Sequence, residues 1–342
     1  MDVAGTARVG PYELRWGAAT HPGHHRELNE DSFVVVPGIY VVADGMGGHE
    51  AGDLASAIAV ATFGDPTLDR PPDIEALEQL VASANREIIA RADVDGSPGM
   101  GTTVVGCAVV RNGSDHSLVV FNIGDSRCYR YADGRLTQLT IDHSHVQELV
   151  SAGEIGADEA RDHPLRNVVT RALGTDEIAV ADYRVLDDTG PIRLVLCSDG
   201  LSGELDDTEI AALLEPTPDP QRAADELLAA ALRGAARDNV TAVVVAIEPD
   251  ATAVDLHDTQ PRGLPAVITG ERPVPAHPGD LNETSEASVG GPTSGAWAPP
   301  SLIDAVPGLE RPAASTQSGP DHGTPDSGTT GRVTADDEEA IR

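Results

Sequence analysis

The chain has 342 residues, 23 basic against 56 acidic, for a formal charge of −33. At roughly 100 to 200 residues per domain this length suits one large domain plus a tail, and the charge excludes the clustered cations of a nucleic-acid footprint and opposes binding to an anionic membrane surface. No lysine occurs, so all 23 cations are arginine, and P-loop nucleotide binding and Schiff-base chemistry are excluded because both need an amine.

In chain order, strand-like runs of β-branched and apolar residues are predicted at 32–36 and 39–43. A glycine-rich turn leads into helical spacing at 51–63, and a second helix is predicted over 74–89, where Ile74, Leu77, Val81, Ala84, Ile88 and Ile89 share one face. Asp93-Val94-Asp95-Gly96 lacks the later ligands of a calcium loop and reads as an exposed turn. Further strands are predicted at 103–110, 117–123, 193–197 and 240–247, and further helices at 143–152, 206–214 and 220–233. Helices sit in blocks between strand pairs, which favours an α+β layered fold over a doubly wound parallel sheet. Patterning stops near residue 248, so the domain is placed at 1–248. Residues 249–342, rich in Pro, Gly, Ser and Thr, read as a disordered acidic tail. That tail holds 15 acidic and 5 basic residues, a charge of −10, which leaves −23 on the domain. Cys107, Cys128 and Cys197 fall in apolar stretches and read as buried, reduced thiols. No window approaches the 18 or so apolar residues of a membrane span, and the start lacks an apolar run behind a basic one. The expectation is therefore a soluble, cytoplasmic protein.

Aspartate recurs at the ends of strand-like runs, beside glycine at Asp44 in VVADGMGG, Asp125 in FNIGDSR and Asp199 in LVLCSDGLS, and again at Asp238 in AARDNVTAVVV. An Asp-Gly pair alone is an ordinary turn signal. Four such carboxylates, with Arg26-Glu27-Leu28-Asn29-Glu30-Asp31 before the first strand pair, form a different pattern. Clustered carboxylates repel unless a divalent cation neutralises them, and oxygen-only ligation suits Mg²⁺ or Mn²⁺. His21, His24 and His25 read as a solvated loop instead of a zinc site. No G-x-S-x-G occurs and the thiols are buried, so an activated water is the default reagent.

With these residues in view, the chain resembles the metal-dependent PPM, or protein phosphatase 2C-type, Ser/Thr phosphatases in their bacterial form, over about residues 12–247. The motifs run in the family's order: RELNED at 26–31, DGMGGH at 44–49, GTT at 101–103, GDSR at 124–127, DHS at 142–144, HPLRN at 163–167, RALG at 171–174, SDGL at 198–201 and DNVT at 238–241. The resemblance implies a four-layer α/β/β/α sandwich with two packed antiparallel sheets and metals in a cleft at one edge. It implies two metals, Mn²⁺ or Mg²⁺: Asp44 bridges them, the Gly45 carbonyl binds the second, and Asp199 and Asp238 complete the first. Glu30 would reach the second through water, supported by Asp31, and Asp125 with Asp199 would hold a third, weaker metal. Arg26 would grip the substrate phosphate, its planar fork of donors matching phosphate oxygens.

The chemistry follows from the same residues. Two metals held there would acidify a shared water for in-line attack on the phosphorus of phosphoserine or phosphothreonine. The general acid is open: Met46 stands where eukaryotic members often have histidine, and of a metal-held water and His49 the water is favoured, because the resemblance is to bacterial members in which Met is common there. His21 stands where the family often has aspartate, which bears on the loop leading to Arg26. Residues 144–175 correspond to the family's flap. Expected partners are phosphorylated proteins, including Ser/Thr kinases or their substrates, acted on by a monomer. Two other readings stay open: a scaffold that binds phosphoprotein without turnover, and a tail recognised or phosphorylated by a partner, with Thr259 a candidate on composition alone.

Overall fold

In the computed structural model, residues 3–47, 51–68, 70–187 and 190–250 are described. The predicted tail, His49 and Thr259 lie outside them, except for the tail's first two residues. Twelve strands form within the described residues: β1 (Gly5–Val9), β2 (Tyr12–His21), β3 (Asp31–Val36), β4 (Ile39–Met46), β5 (Gly101–Thr102), β6 (Val104–Asn112), β7 (Asp115–Ile123), β8 (Arg127–Ala132), β9 (Arg135–Gln138), β10 (Asp182–Leu186), β11 (Ile192–Cys197) and β12 (Val240–Pro249). The helices are α1 (Ala51–Gly64), α2 (Ile74–Asp95), α3 (His145–Ser151), α4 (Ala157–Arg161), α5 (Asp199–Glu204), α6 (Asp207–Leu214) and α7 (Pro220–Ala231).

One sheet runs β1-β2-β12-β11-β8-β9 and the other β10-β7-β6-β4-β3, with β5 paired to β4. Every pairing between these strands is antiparallel. The apolar runs are continuous because both faces of each sheet are buried. In β4, Tyr40 and Val42 point between the sheets while Val41 and Ala43 pack under α1 and α2. In β12, Val243, Val245 and Ile247 face the other sheet, whereas Ala242 and Val244 lie beneath α5–α7. Three apolar layers therefore separate four layers of structure, the expected α/β/β/α sandwich. The three thiols lie on β6, β8 and β11, buried and unbridged, and burial pushes the Cys197 thiol up to about 12. The thiolate, the reactive form of cysteine, is disfavoured there.

The Asp93–Gly96 turn is corrected. Helix α2 continues through Asp95, and Gly96 closes it in the left-handed region at φ 63°, donating its N–H to the Ala92 carbonyl. The fourfold spacing of Arg91 and Asp95 supports that last turn, with Arg91 Nε 2.6 Å from Asp95 Oδ2. The elements not anticipated are β1, β2, β5, β8–β10, α4 and α5.

The antiparallel order has one consequence for chemistry. The start of β3, the end of β4, the β7–β8 turn, the end of β11 and the start of β12 all meet at the same end of the sandwich. Asp31 pairs with Asp44 across β3–β4. Cys197 is flanked by Ala242 and Arg127.

Candidate active site

Each predicted acidic residue sits at this end. Asp31 opens β3, Asp44 and Gly45 lie near the end of β4, Asp125 occupies the β7–β8 turn, Asp199 opens α5, and Asp238 precedes β12. Arg26 and Glu30 come from the loop between β2 and β3. Asp31 and Asp125 are buried, and Asp44, Asp199, Asp238 and Glu30 are half-buried. The carboxylates feel one another: Asp44 is acted on by Asp31, Asp199, Asp125 and Asp238. Burial first, and then this mutual repulsion, hold Asp44 well above the usual carboxylate range. Burial likewise raises Asp31 to about 7 against hydrogen bonds that lower it, and lifts Asp125 to about 8 with Asp199 and Asp142 adding repulsion. Asp199 rises to about 6, from burial and Asp238, while a hydrogen bond with Asp44 pulls it back.

The backbone around these groups is pinned by side chains from distant segments. Asp44 N–H donates to Thr103 Oγ1 at 3.1 Å, and the Asp44 carbonyl accepts from Thr103 N at 2.8 Å and Thr102 Oγ1 at 2.9 Å. Gly45 N–H donates to the Glu30 carbonyl at 3.1 Å. Asn239 holds the Arg26–Glu30 loop: its Oδ1 accepts from Glu30 N at 2.8 Å, and its Nδ2 donates to the carbonyls of Leu28 (2.9 Å) and Pro22 (3.0 Å). Ser198 stands at the N-cap of α5, yet its hydroxyl does not cap the helix. It accepts from Thr241 N at 3.0 Å and donates to Asp31 Oδ2 at 2.7 Å, joining the ends of β3, β11 and β12. Ser198, Asn239, Thr102 and Thr103 belong to motifs visible in the sequence, but their positioning roles depend on contacts that it does not show.

Arg26 reaches across to Asp238, with Nη2 to Oδ2 at 2.9 Å, and lies 3.9 Å from Glu30. The hydrogen bond to Asp238 is the main reason its guanidinium is held above its ordinary value. Beside it opens a cleft of about 1140 Å³ whose walls include Arg26, Glu30, Asp53, Leu54, Arg91 and Met100. Met46, at the end of β4, is half-buried beside this acidic end. His21 closes β2, with Nδ1 accepting from Gly23 N at 3.0 Å. This contact belongs to the loop leading to Arg26.

The donor set fits hard divalent cations. It is all oxygen and rich in carboxylate, and two of its buried oxygens, Asp31 Oδ1 and Glu30 Oε1, have no hydrogen-bond partner. Among the described residues, no three acidic, imidazole or thiol side chains already close into a metal cage. Asp44 instead approaches Asp199, while Asp238 is paired with Arg26.

A family model for protein phosphatase 2C matches residues 24–235, a segment that contains Arg26 and each of the acids except Asp238. The chain belongs to the protein phosphatase 2C family. It is 37% identical over 265 residues to the serine/threonine protein phosphatase PstP of Mycobacterium tuberculosis, a match that takes in 75% of this chain and 49% of that protein. The chain thus spans about half the length of that relative. Against the serine/threonine phosphatase stp of Listeria monocytogenes the identity is 36%, covering 66% of this chain and 93% of the relative. Among solved structures of this family, the M. tuberculosis phosphatase superposes with a TM-score of 0.63 at 37% identity, over 69% of this chain and 99% of the other. The catalytic domain of PstP, solved in complex with two manganese ions, gives 0.62 at 35% identity with the same coverage.

Proposed function

We propose that this chain is a metal-dependent protein phosphatase that hydrolyses phosphoserine and phosphothreonine on proteins. The observation that carries the reading is the convergence of Asp44, Asp199, Asp125 and Asp31 with Asp238 and Arg26 at one end of the sandwich. Asp44, the Gly45 carbonyl, Asp199 and Asp238 would hold two Mn²⁺ or Mg²⁺ ions, with Glu30 reaching one through water, Asp31 in support and Asp125 at a third, weaker site. Bound there, such ions supply Lewis acidity, making hydroxide available near neutral pH and offsetting charge on the phosphoryl group. The chain's own part is positional. Thr102, Thr103 and the Glu30 carbonyl fix the backbone at Asp44 and Gly45, Ser198 orients Asp31, and Arg26 orients the phosphate at the mouth of the cleft. With methionine at position 46, that side chain delivers no proton to the leaving alkoxide.

The test is release of inorganic phosphate from a phosphothreonine peptide and from p-nitrophenyl phosphate. Turnover is expected with Mn²⁺ and none with EDTA. Peptide binding in Mn²⁺ without phosphate release would support the scaffold reading instead. Arg26→Ala is expected to raise KM about tenfold or more with a smaller change in kcat, because the lost contact is made equally in ground and transition states. Mn²⁺ calorimetry on the same variant checks the role, since loss of metal at an unchanged KM would contradict it.

The wider setting is proposed on the same footing. A monomeric, cytoplasmic signalling enzyme of bacterial type would act on Ser/Thr kinases or their substrates. Among the described residues no helix is long and apolar enough to cross a membrane. Residues 1–248 form the proposed phosphatase domain, and 249–342 are proposed, on composition alone, as a non-catalytic acidic tail.

A further inference from the structure

His143 lies outside the acidic cluster, yet it meets that cluster's turn from both sides. Its side chain is 3% exposed. Its Nδ1 accepts the Gly124 N–H at 3.1 Å, while its own backbone N–H donates to the Gly124 carbonyl at 2.9 Å. Gly124 has φ +107°, and a Cβ there would sit 2.6 Å from Thr103 Cβ, so the turn cannot relax by taking another residue type. Asp125 is the next residue. On its other side the turn is held by Ser126, whose hydroxyl is 2.7 Å from that of Thr103.

The same histidine closes the base of the 144–175 segment. Its carbonyl accepts from Thr170 N at 2.8 Å, and His145 N donates to the Val168 carbonyl at 2.8 Å. With Nδ1 accepting a backbone N–H, a neutral ring carries its proton on Nε2. Nε2 lies 3.3 Å from Asp182 Oδ2, within ion-pair reach but outside hydrogen-bond geometry. The other oxygen of Asp182 takes Arg171 Nη1 at 3.1 Å.

We infer that His143 is a positioning residue: its Nδ1 fixes the Gly124–Asp125 turn, and through the same residue that turn is tied to both ends of the 144–175 segment. The inference deepens the role proposed for Asp125 and rests on it. An asparagine amide oxygen can stand where Nδ1 stands, whereas a glutamine amide reaches the Nε2 position. The pair therefore separates the acceptor function from simple filling of space.

The experiment compares His143→Leu, His143→Asn and His143→Gln in the full chain with Mn²⁺. The readouts are amide exchange at Gly124 and trypsin cleavage within the segment, which a lysine-free chain confines to Arg161, Arg166 and Arg171. His143→Leu and His143→Gln are expected to speed Gly124 exchange and cleavage after Arg171 together, by about tenfold, as the local opening free energy falls. His143→Asn should track the wild type in both and retain its kcat. Equal behaviour of Asn and Gln would overturn the inference, as would wild-type exchange in His143→Leu. Should the leucine variant not fold, the other two decide. Asp125→Ala in a Mn²⁺ titration judges the separate claim: an unchanged isotherm removes Asp125 from the metal site, while Gly124 exchange still decides on His143.

Discussion

Asp44→Asn is expected to lower kcat by at least about 10³-fold while making the metal-free protein more stable. The first effect follows from its place in the cluster, since Asp44 is acted on by Asp31, Asp125, Asp199 and Asp238 together. Its backbone is fixed by Thr102 and Thr103, so the substituted side chain should stay in place without the charge. The second effect has a definite pH sign. The buried acids have folded-state values raised above the ordinary range, with Asp199 at about 6, Asp31 at about 7 and Asp125 at about 8. A raised carboxylate binds its proton more tightly folded than unfolded. The metal-free wild type therefore loses stability as pH climbs from about 4 through these values, because like charges must then coexist in a confined site. Taking away the most crowded charge should raise Tm in EDTA at pH 8 by at least about 2–4 °C, the shift that 1 kcal/mol gives in a domain of this size. The gap should narrow toward pH 4. Thermal melts in EDTA at the two pH values check it, and a variant less stable than wild type at pH 8 would contradict the account.

Gly45→Ala should be nearly as damaging, for a steric reason. The added Cβ would stand 2.0 Å from the Gly52 carbonyl oxygen and 2.7 Å from that of Glu30, both backbone atoms. Neither can swing aside, so the first turn of α1 or the Arg26–Glu30 loop must move. Overpacking of this kind costs about 1–3 kcal/mol. A displacement near 1 Å at reacting groups costs about 10²-fold in rate. Denaturant melts and turnover on p-nitrophenyl phosphate measure the two losses. Wild-type values in both would show that the Gly45–Gly52 approach is dispensable.

The sandwich was legible wherever a strand is apolar on both faces, as in β4, β6, β11 and β12, because burial from two sides writes an uninterrupted run. Strand β2 was not, since Gly17, Ala18 and Ala19 dilute its pattern. The reason is tertiary: a Cβ at Gly17 would fall 2.2 Å from Gln221 Cα of α7. Helix α5 escaped notice because six residues carrying two glycines show no periodicity. In the site, the carboxylates declared themselves by repetition at strand ends, and the structure brings them together. Ser198, Asn239 and His143 carry no comparable signal. Asn239 acts on Glu30, 209 positions away, and Ser198 on Asp31 across 167, so their roles exist only after the sheets have closed.

The pairing of Arg26 with Asp238 sets a threshold for incoming anions. In the proposed role a phosphate would compete with a carboxylate already in possession of the guanidinium. The threshold is low, because Arg26 is 48% and Asp238 33% exposed, and ion pairs so open to water contribute about 0–1 kcal/mol. If Arg26 takes the phosphate as proposed, the carboxylate would work less as a lock than as a cradle, giving up the arginine once a dianion arrives.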